Sequence, residues 1–418
     1  MVPKDLKQLI FFRSIIDDPL LNAAGILFQR DTIEAAATVY HYMINQLMTE
    51  AIELGHGMPL WRGHLLNLIA QDENPFSLSA EGNADIPDSM LLNNMAKDIE
   101  ILESWLDVNW KHFLSPMELD ESMLYHRLDA WHETDYAANA ALESLDCIFQ
   151  PDKLAYAKAS SLWAHYAQYS CGELAMYHAF EWNNGLIGIP QPDPIHFFDL
   201  VGCDYQKHVL RSNTEAFLAG RPANHVLLCG ARGTGKSSSI KALLNEYAPY
   251  GLRMVELKRD DLNEYPQLVE TLRRRRMSFI VFIDDLSFEN FEVEYKSLKS
   301  AIEGSLRAPA NNVLLCACSN VRQLVAQPSI SDSRDPHDSD RRQEKLSFVS
   351  RFGITLNYYT PSPEDYLKMV KHMAQNEDIE LSDEELCARA LQWELNHHGR
   401  SGRSARQFID SLLSARLN

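Results

Sequence analysis

The sequence predicts an α/β chain in which a parallel sheet is covered by helices, with a mostly helical region before it and a small helical bundle after it. Two observations carry this. Short, near-continuous apolar runs recur in the second half at 226–229, 252–257, 279–283, 313–318 and 354–359, with helical segments between them. Runs of that kind read as the strands of a parallel sheet buried on both faces. The first 180 residues instead carry apolar residues at three- and four-residue spacing, as do three closing segments at 362–375, 383–397 and 404–416, which is the pattern of amphipathic helices.

Taken in order, "NAAGILFQRDTIEAAATVYHYMINQLM" and "NAALESLDCIF" read as helices. Residues 72–89 break the pattern with Pro, Gly and Asn and read as a loop. Trp61, Trp105, Trp110, Trp131, Trp163 and Trp182 sit among helical stretches, and packing between helices accounts for them, with a partner-binding surface as the alternative. His41, His56, His64, His126, His132, His165 and His178 show no metal-ligand spacing. Pro and Gly cluster at 183–202 and mark a boundary. The expected domains are therefore an acidic, partner-binding or regulatory helical region over 1–185, a sheet domain over 186–361 and a helical lid over 362–418.

Composition narrows the function classes. An apolar fraction of 45% with 23% charged residues fits an ordinary globular chain, and no apolar run approaches the length of a bilayer span. Seven scattered cysteines and no secretory leader pattern give a cytoplasmic expectation, with the cysteines as buried free thiols. The net charge of −19 is uneven: residues 1–185 hold 10 Lys and Arg against 27 Asp and Glu, residues 186–418 hold 29 against 31. Backbone binding to nucleic acid draws on basic side chains, so the first half is a poor candidate for it.

The chemistry is announced by "HVLLCGARGTGKSSSIKALL". Gly230, Ala231, Arg232, Gly233, Thr234, Gly235, Lys236 and Ser237 satisfy G-x-x-x-x-G-K-[ST], placed after a strand and opening a helix. The glycines let successive backbone N–H groups face a phosphate, and the helix N-terminus, including Ser238, adds its dipole. Lys236 is expected on the β- and γ-phosphates of ATP and Ser237 on Mg²⁺. The strand of "SFIVFIDDLSFE" ends in Asp284, placed for the same Mg²⁺, and Asp285. Either Asp285 or Glu289 can serve as base for the attacking water. "NNVLLCACSN" ends a further strand in Ser319 and Asn320, polar tips for holding that water. Arg351 precedes the last strand, and Arg403 and Arg406 start the last helix on one face. Of these two, Arg406 is preferred for phosphate contact, because Phe408 and Ile409 then face the helix's packing side.

In this order the motifs resemble the AAA+ ATPase superfamily. More narrowly, "NHVLLCGARGTGKSS", "FIVFIDDLSFE", "LRAPANNVLLCACSN", "KLSFVSRFG" and "SGRSARQF" resemble a bacterial family known as domain of unknown function 815, over about 187–418. The resemblance implies a P-loop NTPase with a five-stranded parallel sheet, the cradle strand central, and a C-terminal helical lid. It also implies homo-oligomers with shared nucleotide sites, in which Ser350-Arg351-Phe352 lends Arg351 to the neighbouring subunit, and it makes Arg406 the lid sensor. The expected activity is Mg-dependent ATP hydrolysis to ADP and phosphate, driving a remodeller or switch that acts on a protein partner. The alternatives are a DNA-associated loader using Arg273–Arg276, and a nucleotide-binding scaffold with little turnover. Residues 325–345 read as a polar insertion, either regulatory or an idle surface loop.

Overall fold

The computed structural model describes residues 3–29, 33–54, 57–81, 83, 85, 87–110, 113, 140–151, 153–286, 310–320, 349–397 and 399–416. The chain divides into two compact units, Met1–Tyr177 and His178–Asn418. Among the described residues no helix is long and apolar enough to cross a membrane.

The first unit is helical: α1 (Pro19–Gln29), α2 (Ile33–Leu54), α3 (Leu60–Gln71), α4 (Pro75–Ala80), α5 (Ser89–Leu106), α6 (Ala140–Ile148), α7 (Ala155–Tyr169) and α8 (Glu173–Met176). Helix α4 lies inside the stretch read as a loop. Its start is set by Asn74, which accepts the N–H groups of Phe76 and Ser77 while Pro75 takes the first position, an N-terminal signature that a count of Pro and Asn misses. Aromatics fill the core. Trp61 packs edge-on against Trp110 with ring centres 5.0 Å apart, and its indole N–H donates to the Trp105 carbonyl at 2.8 Å. Trp131, His56, His126 and His132 lie outside the described residues.

One histidine of this unit is a buried ionic anchor. His64 on α3 is 5% exposed, with Nδ1 2.6 Å from Glu50 of α2 and Nε2 3.2 Å from Asp18 at the head of α1. Burial alone pulls its pKa down, but the hydrogen bonds and charges of Asp18 and Glu50 outweigh it and raise the value to about 9. The same pairing lowers the pKa of Asp18 despite burial, which acts upward.

The second unit contains a seven-stranded sheet in the order β2-β1-β4-β5-β6-β3-β7, built from β1 (Ala179–Trp182), β2 (Leu186–Gly188), β3 (Val226–Gly230), β4 (Leu252–Glu256), β5 (Ser278–Ile283), β6 (Val313–Ser319) and β7 (Ile354–Tyr358). Among the described residues only the β1–β2 pair is antiparallel. Every residue of β3 and β6 is buried, as expected of strands covered on both faces. The five expected strands form within a residue or so of their apolar runs. The sheet is nevertheless wider than five, because β1, just before the stretch read as a boundary, pairs with β2 inside it as a hairpin. Its turn, Asn183-Asn184-Gly185, places Asn184 at φ 54°, and Asn-Gly between apolar residues is a hairpin signal in its own right. The cradle strand β3 is also not central: it lies between β6 and the edge strand β7.

Helices α9 (Asp204–Leu218), α10 (Lys236–Tyr247) and α11 (Tyr265–Arg273) accompany the sheet, and α12 (Pro363–Asn376), α13 (Asp383–Asn396) and α14 (Gly402–Arg416) form the closing bundle. Ser362 and Ser382 cap α12 and α13 by accepting the N–H groups of Asp365 and Glu385. Tyr366, Val370, Leu386, Ala390, Phe408 and Ile409 make the bundle's core, so Phe408 and Ile409 do face inward. All seven cysteines are free thiols. Burial raises the pKa of Cys229 to about 11 and of Cys316 to about 12, which leaves both as inert packing groups at neutral pH.

The raised pKa of His64 has a signed consequence. A histidine whose folded-state pKa exceeds its unfolded value of about 6.5 contributes stability that is complete below that value and is lost as pH rises through about 9. Hydrogen-exchange protection of α2 and α3 in the full chain is expected to fall between about pH 6.5 and 9, and His64→Gln should flatten that fall. Identical alkaline profiles for the two proteins would remove His64 as its cause.

Candidate nucleotide site

The loop after β3 is shaped by close approach. At Gly230 a Cβ would collide with the carbonyl oxygen of Tyr358 on β7, so only glycine leaves the strand there. Gly233 adopts φ +74°, and a Cβ on it would lie 3.0 Å from the Ser401 side chain. Gly235 is the N-cap of α10, whose first-turn N–H groups have no partner within the helix. A helix start after a strand's carboxyl end, bearing such N–H groups, is a ready site for phosphate.

The side chains form one connected network. Lys236 is 5% exposed, and its Nζ donates to the carbonyls of Gly230 (2.9 Å) and Ala231 (2.8 Å) and to Asn320 Oδ1 at 3.1 Å. Burial lowers its pKa, against the pull of Cys318, Asp284 and other nearby groups. Asn320, at the end of β6, donates through Nδ2 to Asp285 Oδ1. Asp285 Oδ2 lies 3.2 Å from Arg232 Nη2. Ser237 Oγ donates to Asp284 Oδ1 at 2.8 Å, and the Asp285 N–H donates to that same oxygen at 3.0 Å. Asp285 itself sits at φ 52°, a left-handed conformation sparsely used by residues other than Gly, Asn and Asp.

These residues line a cleft of about 870 Å³ that also takes in the closing bundle. Arg232, Gly233, Thr234, Gly235, Lys236, Ser237, Ser238, Asp284, Asp285, Asn320, Arg403 and Arg406 all face it, so the cradle, the acidic strand end, the polar strand tip and both lid arginines are brought together. The lid is tied to the cradle directly: the Gly402 N–H donates to the Gly233 carbonyl at 2.8 Å. The preferred lid arginine is otherwise engaged. Arg406 pairs with Glu377 at 2.8 Å and with Asp410 at 2.9 Å, whereas the Cβ of Arg403 lies 3.3 Å from where a Gly233 Cβ would stand. Both arginines line the cleft, and Arg403 is the one whose Cβ packs beside Gly233.

Arg351 is half-buried in the turn before β7 and is not among the described residues lining the cleft. Glu289 and residues 325–345 lie outside the described residues. Arg273 closes α11 and pairs with Glu270 at 3.7 Å. The side chain of Asn312 donates to the carbonyls of Leu272 and Arg275, satisfying the helix end.

Sequence reasoning missed the other end of the cleft. Ile195, Leu200 and Val201, from the supposed boundary, line the same cleft as Met369 and Met373 of α12 and give this end apolar wall alongside Asp199, His372 and Asn376. Asn245 of α10 fixes that segment by donating to the carbonyls of Asp193 (2.8 Å) and Ile195 (2.7 Å). The available signal was the pairing of apolar residues with prolines in "PQPDPIHFFDLVG", more apolar than a solvated linker requires.

The donor set fits a hard divalent cation. The Ser237 hydroxyl and the Asp284 carboxylate are adjacent oxygen donors at the cleft wall, and Mg²⁺ is held by a few protein oxygens together with phosphates and waters. Among the described residues no group of three or more His, Cys, Asp or Glu could hold a metal by itself.

No curated protein matches the chain. Among solved structures, the Thermotoga maritima RuvB Holliday junction branch migration motor is 16% identical, with a TM-score of 0.32 over 52% of this chain and 72% of that one. A point mutant of the same Thermotoga maritima protein is 19% identical, with a TM-score of 0.38 over 52% and 64%. Scores in this range mark partial superpositions and say nothing of activity. The family model described as "Protein of unknown function (DUF815)" matches residues 175–416. That span is more than half of the chain, and the chain belongs to this family.

Proposed function

We propose that the chain is an Mg-dependent ATPase of the AAA+ kind, acting as a remodeller or switch on a protein partner. The observation that carries the reading is the hydrogen-bonded line Lys236–Asn320–Asp285, set beside the Ser237–Asp284 pair in one cleft. A phosphate cradle used only as a structural turn has no need of an acid, an amide and a serine–aspartate pair at its mouth.

Each residue has a task that its position suits. The α10 N-terminus and Lys236 bind the phosphates, with the buried ammonium exchanging backbone carbonyls for phosphate oxygens. Ser237 and Asp284 would hold Mg²⁺, which when bound would neutralise charge on the phosphate oxygens. Asn320 orients the attacking water and Asp285 accepts its proton, one carboxylate oxygen being fixed by the Asn320 amide. The apolar wall of Ile195, Leu200, Met369 and Met373 receives the base. Arg403 closes over the phosphates from the lid, and Arg351, which lies away from this cleft, serves the site of an adjacent subunit in a homo-oligomer.

The acidic first unit recruits the partner, because its charge opposes a polyanion. Arg273–Arg276 sit at a helix end where cations complement the dipole, and Arg273 is already paired with Glu270, so a loader role has no dedicated surface there.

Three outcomes test this reading. Lys236→Ala should weaken ATP binding by about a hundredfold, the loss expected for charge-assisted contacts; unchanged affinity in a folded variant, measured by calorimetry, would reject the site. Arg351→Ala should leave affinity intact and slow turnover of the assembled protein by on the order of 10³-fold, as for an arginine finger. Full activity would move the finger elsewhere. Specific activity should rise with protein concentration and stay unmoved by single- or double-stranded DNA. Strong stimulation by DNA would instead favour the loader.

A further inference from the structure

We infer that Arg232 is a specificity-determining residue that reads the third phosphate of the nucleotide and is coupled in doing so to Asp285. The inference rests on the nucleotide reading above and deepens it. Arg232 occupies one of the unspecified positions of the cradle, where the motif's chemistry asks for no cation. Its guanidinium nevertheless reaches across the cleft mouth to Asp285 Oδ2, at 3.2 Å. The other oxygen of that carboxylate accepts the Asn320 amide, and Asn320 in turn accepts from Lys236 at 3.1 Å. A water approaching Asp285 therefore competes for its lone pairs with an amide and a guanidinium.

The two contacts differ in strength. Asn320 is half-buried and tied to the ammonium of Lys236. The Arg232–Asp285 pair is open to solvent, with the two side chains 73% and 53% exposed, and an ion pair so exposed is weak and exchangeable. A terminal phosphate offers the guanidinium more charge and more acceptor oxygens than one carboxylate does, in a geometry that suits paired N–H donors. Arg232, Lys236, Ser237 and both acids face the same cleft. A nucleoside triphosphate thus takes Arg232 from Asp285. The exchange distinguishes a triphosphate from a diphosphate and opens a lone pair of Asp285 to the water it must deprotonate. In this structure the Asp285 N–H is held separately from its carboxylate, by Asp284 Oδ1 at 3.0 Å.

The test is equilibrium binding of a non-hydrolysable ATP analogue and of ADP, with Mg²⁺, to the full chain. Wild type is compared with R232A, R232K, D285N and R232A/D285N, and both side chains are exposed enough that the fold does not depend on them. R232A should weaken the ATP analogue about tenfold, the lower end for a hydrogen bond to a charged group, and ADP by less than about twofold. R232K, which keeps the charge but not the paired N–H donors, should recover only part of the discrimination. D285N should tighten the ATP analogue about threefold more when Arg232 is present than when it is alanine, the size of an exposed ion pair, with no such difference for ADP. Equal weakening of both nucleotides by R232A, or additive effects of the two substitutions on the ATP analogue, would overturn the inference and leave the nucleotide site standing. A wild-type chain that bound neither nucleotide would overturn both.

Discussion

The ammonium of Lys236 is the point at which the second unit is tied together. A cation that is 5% exposed must be surrounded by acceptors or neutralise itself, and here the acceptors come from two different strands. Gly230 and Ala231 present the carbonyls that follow β3, and Asn320 presents its amide oxygen from the end of β6. The parallel register of β3 with β6, Cys229 opposite Ser319, places the two strand ends so that one side chain serves both. Asp285 is drawn in through Asn320, so the chemistry at the cleft mouth follows from how one buried charge is satisfied.

What could be read from the sequence follows from the range of the signals. The strands β3, β5 and β6 were legible because burial on both faces leaves a continuous apolar run, and the cradle was legible because its spacing is fixed by backbone geometry. The β1–β2 hairpin was not. Strand β1 has four residues and β2 three, too short for a periodic pattern, and their turn residues read equally well as a linker. The preference for Arg406 over Arg403 rested on its helix neighbours alone, and the sequence could not show that its partner is Glu377, from the end of α12. Arg232 stood in a variable position of a motif whose fixed positions attract the attention, and its pairing with Asp285 spans 53 residues.

The first unit follows the same rule with different material. Its helices were visible in their periodicity, whereas the residues that fix their mutual placement were not. His64 joins α3 to Glu50 of α2 and to Asp18, and the buried Lys158 of α7 finds Glu103 of α5. Both are contacts between elements, and in the sequence both residues look like ordinary helix surface. Breaking either pair from one side would leave a buried charge without its partner, which is strongly destabilising.

The bond from the Gly402 N–H to the Gly233 carbonyl has a mechanical meaning. It fastens the root of α14 to the middle of the phosphate loop, so the helix behaves as a lever with its fulcrum at the cradle. A helix of 15 residues is about 22 Å long at about 1.5 Å per residue. A rotation of about 5° at its root therefore carries its far end about 2 Å, on the scale of the helix shifts that repack interfaces. With that bond in place, an adjustment of the loop at Gly233 would be carried to the far end of α14 enlarged by the helix's length.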